Sequence, residues 1–412
     1  MTLRALLGAK ERKRGNRIAA ERGKDENRLT VVEGSHKNRT KYIKIPNLVG
    51  IRSVDKGLLV TFLLLLASGL LVLYAASFYN AQDSGSPLAE VYSQLMGIAV
   101  GFVGMAVILR IDYRVLAKPQ ICLTLLAASF VLLILVAIPG IGRMLNGSRR
   151  WLRLGPVSFQ PSELAKYASI LFLARALSMK NRDLGRFFTG LVPMFVIPGA
   201  MFLLILLQPN LSTAGSILIV SAVMVMIAGA RWRHLGAVGV AGLALGTFYA
   251  LSADYRRARL MSFRDPFAYL TNEGYQLSQS LMAFGSGGLF GMGLGMGRQK
   301  YAFLPYPESD FIFAVVGEDL GLVGCLSVLA LFAAFVFFGL RVAIRCEDRF
   351  GSLLAGGITC MIGVQCVMNV AVVIGLMPTT GLPLPFFSSG GTSISILMCG
   401  VAVLMNISAA RG

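Results

Sequence analysis

The sequence predicts an all-α polytopic membrane protein with about ten transmembrane helices and a large extracytoplasmic loop before the eighth. Hydrophobic residues make up 55% of the 412 residues and charged residues only 14%, and the mean hydropathy is +0.69. Such a chain lacks the polar surface that a soluble globular protein presents to water, so that class is excluded. The apolar residues fall into ten segments, each near the ~20 residues that a helix needs to cross a bilayer.

These segments set the domain organisation, with one membrane domain over residues 57–412 and a long loop at 253–309. The glycine pairs Gly97/Gly101 and Gly317/Gly321 predict close helix approach, because small residues let two backbones come together. The six cysteines lack metal-type spacing and are interpreted as small core residues. The ten segments are 57–79, 91–111, 117–139, 162–179, 188–208, 211–229, 235–252, 310–340, 351–375 and 391–408.

Residues 1–56 are interpreted as a basic, disordered cytoplasmic tail. They hold fifteen Lys and Arg against six Asp and Glu, which is about half of the formal charge of +19. The first apolar run is long enough to span, so we expect a retained extension rather than a cleaved leader. The tail either binds anionic lipid or a partner protein, or is a solvated segment that fixes orientation.

Basic residues in the short loops predict the orientation in the cytoplasmic (inner) membrane. Arg114, Arg186, Arg231 and Arg345 fall on the same side as the tail if every segment crosses once. The positive-inside rule places that side, and with it both termini, in the cytoplasm.

Basic residues in two loops on the opposite side are exceptions to this rule; besides the four discussed next they include Arg143, Arg153, Arg256, Arg257, Arg259 and Arg264. Arg149 and Arg150 lie in the loop at 140–161, and Arg298 and Lys300 lie in the loop at 253–309. Because the guanidinium fork fits phosphate oxygens in a bidentate way, these loops suit a polyanion at the outer membrane surface. The polyanion is either a lipid-linked phosphate or pyrophosphate, or the headgroups of phospholipids.

Three charged residues mark the outer ends of two segments. Glu163 and Lys166 are spaced i, i+3 and share one helix face, where charges inside a span either pair with each other or bind a ligand. Asp310 follows LPYPES and precedes FIFAVV, so it either caps the helix that begins there or carries chemistry.

Three irregular stretches interrupt the apolar pattern. The glycine run at 285–297 contains no strict GxGxxG, so it predicts a flexible, re-entrant or surface loop beside a bulky substrate. Residues 375–393 read GLMPTTGLPLPFFSSGGTS and cannot continue a helix; they either line a wet cavity or form a rigid connector. QPNLST at 208–213 predicts a tight extracytoplasmic turn and nothing more.

Three long stretches resemble the signature motifs of the SEDS family of bacterial cell-wall polymerases. They are GSRRWLRLGPVSFQPSELAK, GSGGLFGMGLGMGRQKYAFLPYPESDFIFAVVGEDLG and GLMPTTGLPLPFFSSGGTS, in the family's order, and the resemblance covers about 57–408. The LPYPESDF form is closer to the septal type of the family, or its sporulation paralogue, than to the elongation type. The chain departs from the family's pattern in two places. Glu308 and Ser309 stand where the family often has His or Gln followed by Thr, and Asn210 stands where the family usually has Asp.

The resemblance implies a peptidoglycan glycosyltransferase that polymerises lipid II at the outer face of the membrane, at the division septum. The implied partners are a class B penicillin-binding protein and other divisome proteins, and nucleic acid is not among them. The family's catalytic aspartate corresponds to Asp310. A divalent cation, magnesium or manganese, is left open as a cofactor. The alternative functions are a lipid II flippase and a non-catalytic divisome scaffold. The residues expected to bind substrate are Glu163, Lys166, Arg149, Arg150, Arg298 and Lys300.

Overall fold

The computed structural model describes residues 54–77, 89–145, 148–154, 157–179, 184–252, 254–270, 274–301 and 303–410. The predicted tail, residues 1–56, lies outside these ranges except for its last three residues.

Each of the ten predicted apolar segments is a helix, so the predicted fold class is confirmed. The ten are α1 Lys56–Ser77, α2 Ala89–Leu109, α3 Pro119–Ala137, α4 Pro161–Ser178, α5 Val192–Leu206, α6 Leu211–Ile227, α7 Trp232–Leu251, α10 Ile312–Arg345, α11 Arg349–Val373 and α12 Gly391–Ala409. Two further helices, α8 Asp254–Arg264 and α9 Tyr275–Gly287, lie in the predicted loop before the eighth segment.

The predicted number of ten spans is not confirmed. Among the described residues, seven helices are long and apolar enough to cross a membrane: α1, α2, α3, α5 with its preceding turn (Phe187–Leu206), α10, α11 and α12. Helix α4 carries three charged residues, Glu163, Lys166 and Arg175, and α6 is only 17 residues long.

The centre of the bundle brings the 375–393 segment against α1, α2 and α10. The Phe62 ring of α1 lies 5.9 Å from the Phe386 ring, and the Phe332 ring of α10 lies 5.9 Å from the Phe387 ring. The predicted close approach at Gly97 is confirmed, because a Cβ there would lie 2.1 Å from the Gly391 carbonyl oxygen. This packing fixes an irregular backbone segment inside the protein.

A small antiparallel sheet follows α3, where sequence analysis predicted only a loop. Its strands are β1 Gly142–Leu145, β2 Ser148–Leu154 and β3 Val157–Phe159, in the order β1-β2-β3. In the register, Arg143 faces Trp151 and Met144 faces Arg149, so Arg150 is the extra residue of a β-bulge. A bulge redirects a side chain relative to the regular pleat.

Helix α10 is interrupted at Gly321, where the backbone leaves helical geometry (φ 67°, ψ −163°). In an unbroken helix, residues 322 and 323 would donate to the carbonyls of residues 318 and 319. Here residues 288–293 enter the break and satisfy all four groups instead. The N–H to carbonyl bonds run from Leu322 to Gly288, Val323 to Leu289, Met292 to Glu318 and Gly293 to Asp319, with N···O distances between 2.9 and 3.1 Å.

Helix α9 and the glycine run after it therefore form a re-entrant segment beside α10. The break at Gly321 lies roughly 14 Å along the helix from Ile312, at 1.5 Å per residue. The approach is tight, since a Cβ on Gly287 would lie 2.0 Å from the Gly317 carbonyl oxygen. Residues 288–293 lie in the break of α10, and the entry of this loop into the membrane stays a prediction.

Candidate functional site

Asp310 lies immediately before α10, and its carboxylate does not cap that helix. The helix begins at Ile312, Phe311 occupies the N-cap position, and no side chain caps it. The carboxylate instead accepts a hydrogen bond from the Ser309 hydroxyl, with 3.2 Å between Oγ and Oδ1. The capping interpretation of Asp310 is therefore wrong.

The backbone around Asp310 is bonded to the 375–393 segment and to α11. Asn369 Nδ2 donates to the carbonyl oxygens of Asp310 and Leu382, both at 2.8 Å. The Ser388 hydroxyl donates to the Ser309 carbonyl oxygen at 2.6 Å. Because these bonds act on the main chain, they fix the position of Asp310 and leave its carboxylate oxygens for other partners.

Burial raises the pKa of the Asp310 carboxyl group from its ordinary value near 4 to about 6. The Ser309 hydrogen bond and the charge of Arg150 lower this pKa and offset only part of the effect. A carboxylate with a pKa near 6 is mostly ionised at neutral pH, yet it is basic enough to accept a proton from a reacting hydroxyl.

Arg150 extends from the β-bulge towards the turn between α5 and α6. Its Nε donates to the Gln208 carbonyl oxygen at 3.1 Å, and its Nη2 donates to that of Pro209. The prediction that QPNLST is only a turn was incomplete, because two of its carbonyls orient this guanidinium. The next residue, Asn210, caps α6 by accepting a hydrogen bond from the Thr213 N–H at 3.2 Å.

Gly381 lies where Asp310 and Arg150 meet. A Cβ built on Gly381 would be 3.2 Å from Asp310 Oδ2 and 3.4 Å from Arg150 Nη1. A carboxylate and a guanidinium thus flank one position on the 375–393 segment.

Glu163 and Lys166 form an ion pair inside the bundle, at a second point on this segment. The Lys166 Nζ to Glu163 Oε1 distance is 2.8 Å, and both residues are buried. The other carboxylate oxygen accepts a hydrogen bond from the Ser393 hydroxyl at 3.0 Å. Glu163 also lines a small cavity of about 20 Å³ with Ser388 and Ser389. The ion-pair interpretation is confirmed, and a role in substrate binding stays a prediction.

Lys300 and Arg298 belong to the re-entrant segment rather than to the surroundings of Asp310. Lys300 is 2% exposed, and its Nζ lies 2.8 Å from Asp319 Oδ2 and 2.9 Å from Oδ1. The backbone N–H of Arg298 donates to Glu318 at 2.6 Å, and the residue itself is exposed. The structure gives Lys300 an ion-pair partner, and its predicted contact with substrate stays a prediction.

Arg149 lies next to Arg150 on β2 and is partly buried. The structure therefore brings Asp310 and Arg150 together, places Glu163 and Lys166 along the same irregular segment, and separates Lys300 from both groups.

Three residues that sequence analysis did not single out hold this arrangement. Asn369 fixes Asp310, and the absence of a side chain at Gly381 lets Asp310 and Arg150 approach the 375–393 segment. Gln94 of α2 forms two hydrogen bonds with the 375–393 segment. Its side chain donates to the Ser388 carbonyl at 3.3 Å and accepts from the Gly390 N–H at 3.1 Å. Gln94 and Asn369 are polar amides within apolar helices, and this pattern in the sequence could have identified them.

A divalent cation as a cofactor stays a prediction from the sequence analysis. Within the described ranges, no three His, Cys, Asp or Glu side chains are grouped as metal ligands. The charged group found beside Asp310 is the guanidinium of Arg150, which repels a cation. We assign no step of the reaction to a metal held by the protein.

Comparison with known proteins identifies the family. The family model of FtsW, RodA and SpoVE, described as cell cycle protein, matches residues 56–412. Stage V sporulation protein E of Bacillus subtilis is 41% identical over 363 residues, which cover 86% of this chain and 97% of that protein. The probable peptidoglycan glycosyltransferase FtsW of Geobacter sulfurreducens is 39% identical over 373 residues, covering 88% and 97%.

Two solved structures share the fold. A chain from a peptidoglycan synthase complex that coordinates polymerization and crosslinking has a TM-score of 0.70 and 29% identity, covering 87% of this chain and 98% of that chain. The rod shape determining protein RodA of Thermus thermophilus has a TM-score of 0.63 and 30% identity, covering 87% and 97%. The chain belongs to the SEDS family, the family of FtsW, RodA and SpoVE, and is a glycosyltransferase of the membrane.

Proposed function

We propose that the protein polymerises lipid II into glycan strands at the outer face of the cytoplasmic membrane, with inversion at the anomeric carbon. The observation that carries this proposal is the Asp310 carboxylate, whose pKa of about 6 suits a general base. It stands just before the start of α10 and beside Arg150, in a part of the backbone that neighbouring elements hold in place. Of the alternatives, a non-catalytic scaffold gives this carboxylate no chemical task, and a lipid II flippase needs a polar path through to the cytoplasmic face.

One base is sufficient for this reaction because the leaving group is good. Glycoside hydrolases use two carboxyl groups, since a sugar alkoxide leaves only when an acid protonates it. A polyprenyl pyrophosphate leaves once its charge is balanced, and cations supply that balance. Arg149 and Arg298 are the cations that we propose to contact the pyrophosphate, because both lie outside the buried ion pairs of the bundle.

The reaction then proceeds in one displacement. Asp310 accepts the proton of the 4-hydroxyl group of the acceptor N-acetylglucosamine as that oxygen attacks the anomeric carbon of the donor N-acetylmuramic acid. The bond from the anomeric carbon to the phosphate oxygen breaks, and its electron pair leaves with the polyprenyl pyrophosphate. The proton ends on Asp310 and is released to water.

Polymerisation of labelled lipid II by the purified protein with its cognate class B penicillin-binding protein tests this proposal. Moenomycin is present to silence contaminating classical polymerases. We expect glycan chains from the wild type and none from Asp310→Asn, which keeps the shape of the side chain and removes the base. Chains from the mutant would contradict the role of Asp310, and no chains from either protein would favour the flippase or the scaffold.

We further propose that this activity serves septal wall synthesis with the other divisome proteins. FtsW relatives from several organisms and the LPYPESDF motif support the septal type. A fluorescent fusion expressed at native level should concentrate at midcell in dividing cells. Signal along the side wall, or only in sporulating cells, would point to the elongation or the sporulation role.

A further inference from the structure

A small polar cavity lies between α4, α11 and the 375–393 segment. Its volume is about 20 Å³, and its polar wall consists of Glu163, Gln365, Ser388, Ser389 and Ser393. A buried water needs about 10–15 Å³ and two to four polar partners. The cavity therefore has room for one water, and a sugar ring is far larger.

Gln365 supplies the observation that points to a ligand in this cavity. It belongs to the apolar helix α11, is only 4% exposed and lines the cavity. Its side-chain amide forms no hydrogen bond with any residue that the structure describes. Burying an amide without a partner is unfavourable, and one water can act as both donor and acceptor for it.

The charge balance of the cavity favours water over a cation. Lys166 Nζ lies 2.8 Å from Glu163 Oε1, so the charge of the carboxylate is already neutralised. The Ser393 hydroxyl donates to the other carboxylate oxygen at 3.0 Å. Because each carboxylate oxygen can accept more than one hydrogen bond, Glu163 can still accept from a water. A neutral and polar molecule is thus the ligand that fits this wall.

Two serines of this wall also hold the backbone that leads into Asp310. The Ser388 hydroxyl donates to the Ser309 carbonyl oxygen at 2.6 Å. The Ser389 N–H donates to the Glu308 carbonyl oxygen at 2.8 Å. A change inside the cavity therefore reaches the position of Asp310 through these two serines.

We infer that this cavity is the binding site of one water, which links Glu163 and Gln365 to the serines of the 375–393 segment. Glu163 and Gln365 are then positioning residues, which act on Asp310 through the segment and do not contact the substrate. The inference rests on the proposed polymerase function and deepens it. Sequence analysis expected Glu163 to bind substrate, whereas the inferred role is to support Asp310.

A structure of the wild-type protein at a resolution that shows ordered waters tests the water site. We expect one water within about 2.7–3.2 Å of both the Gln365 amide and the Glu163 carboxylate. In Gln365→Leu, which keeps the approximate volume of the side chain and removes its hydrogen-bonding groups, this water should be absent. Ordered waters elsewhere in the bundle and none in this cavity would overturn the inference, whether or not the variant folds.

Turnover and binding of lipid II by Gln365→Leu test the positioning role. Since small misplacements of reacting groups are costly, we expect kcat to fall by about 10- to 100-fold. Affinity for a fluorescent lipid II analogue, measured in the Asp310→Asn background to prevent turnover, should change by less than about threefold. The control is Val131→Leu, which places a leucine on an exposed position of α3 and should keep wild-type activity.

Ser388→Ala decides whether Gln365 acts through the segment. If both residues act on Asp310 by one route, their effects on kcat should not multiply. We expect Ser388→Ala to lower kcat by a similar factor, and the double variant to be no slower than the slower single variant. Ser388→Thr, which keeps the hydroxyl, should retain more activity than Ser388→Ala. Effects that multiply in the double variant would overturn this route.

Two further results would contradict the positioning role. Near-wild-type kcat in Gln365→Leu would show that the cavity does not affect Asp310. Weaker lipid II binding with unchanged kcat would make the cavity part of the substrate site. Activity of Asp310→Asn, or inactivity of the wild type, would instead reject the proposed function itself, while the wild-type structure still decides the water site. The two failures are therefore distinguishable.

Discussion

A single carboxylate carries most of the proposed chemistry, and its surroundings set its basicity. Burial raises the pKa of Asp310, while the Ser309 hydroxyl and the Arg150 charge lower it, and the outcome is about 6. The carboxylate is the catalytically competent form, because it must accept a proton. Activity should therefore be lost as the pH falls below this pKa, and it should be retained above it.

The pH–rate profile of polymerisation should show an acid limb near pH 6, with the rate falling about tenfold per pH unit below it. Ser309→Ala removes a hydrogen bond to the carboxylate, so the limb should move to higher pH. Ser327→Ala, on α10 away from the site, is the matched control and should leave the profile unchanged. A limb that stays in place in Ser309→Ala would contradict the hydrogen bond's effect on the Asp310 pKa.

At the scale of secondary-structure elements, carboxylates of α10 hold the re-entrant segment by accepting hydrogen bonds from its backbone N–H groups. Asp319 accepts from the N–H groups of Gly295 at 2.9 Å and Gly297 at 3.0 Å, in addition to the Lys300 ion pair. Glu318 accepts from Arg298 and Gln299. Buried charges are tolerated only when paired and hydrogen-bonded, and these bonds tie residues 295–300 to α10 beside the break.

A double-mutant cycle on Lys300 and Asp319 measures the strength of this anchor. Lys300→Met leaves a buried carboxylate without its cation, which typically costs about 3–5 kcal/mol. We expect a clear loss of thermal stability in detergent for each single variant, Lys300→Met and Asp319→Asn. The double variant should be destabilised by much less than the sum of the two. Additive losses would show that the two residues do not depend on each other.

Gly321→Ala tests the helix break. A methyl group there would lie 2.4 Å from the Gly291 nitrogen, and the φ of +67° is unfavourable for alanine. The variant should lose the close contact between the re-entrant segment and α10, and proteolysis within 288–301 should become faster. Gly215→Ala in α6, where a Cβ has open space, should behave like the wild type. Unchanged proteolysis of Gly321→Ala would contradict the tight crossing.

At the scale of the whole molecule, the bundle collects its irregular backbone and its buried charges around the N-terminal part of α10. The segments 288–310 and 375–393, the bulged strand β2 and the α5–α6 turn all meet this region, although they are far apart in sequence. The orientation in the membrane, with this region outside and both termini in the cytoplasm, stays a prediction from the basic loops.

Labelling of introduced cysteines with a membrane-impermeant thiol reagent tests this orientation. Arg298 and Glu347 are both exposed and lie towards opposite ends of α10. In whole cells, Arg298→Cys should react, whereas Glu347→Cys should react only after permeabilisation. The chain with its natural cysteines alone measures the background. The reverse pattern would invert the predicted topology.

The sequence by itself determined the class, the positions of the ten helices and the family, and it singled out Asp310 as the candidate catalytic residue. Length and hydropathy of a segment are local properties, and the three motifs are contiguous stretches, so both can be read along the chain. The close approach predicted at Gly97 is also present, because small residues on a helix face indicate close packing even when the partner is unknown.

Only the tertiary structure decided how the site is assembled. The contacts of Arg150 with Gln208, of Asn369 with Asp310 and of Ser393 with Glu163 join residues separated by 58, 59 and 230 positions. No periodicity or spacing encodes such pairings, because they depend on which helices become neighbours. For the same reason, the sequence did not show that Lys300 pairs with Asp319. The bulge at Arg150 and the approach of Asp310 and Arg150 to Gly381 exist only once strands and helices are packed.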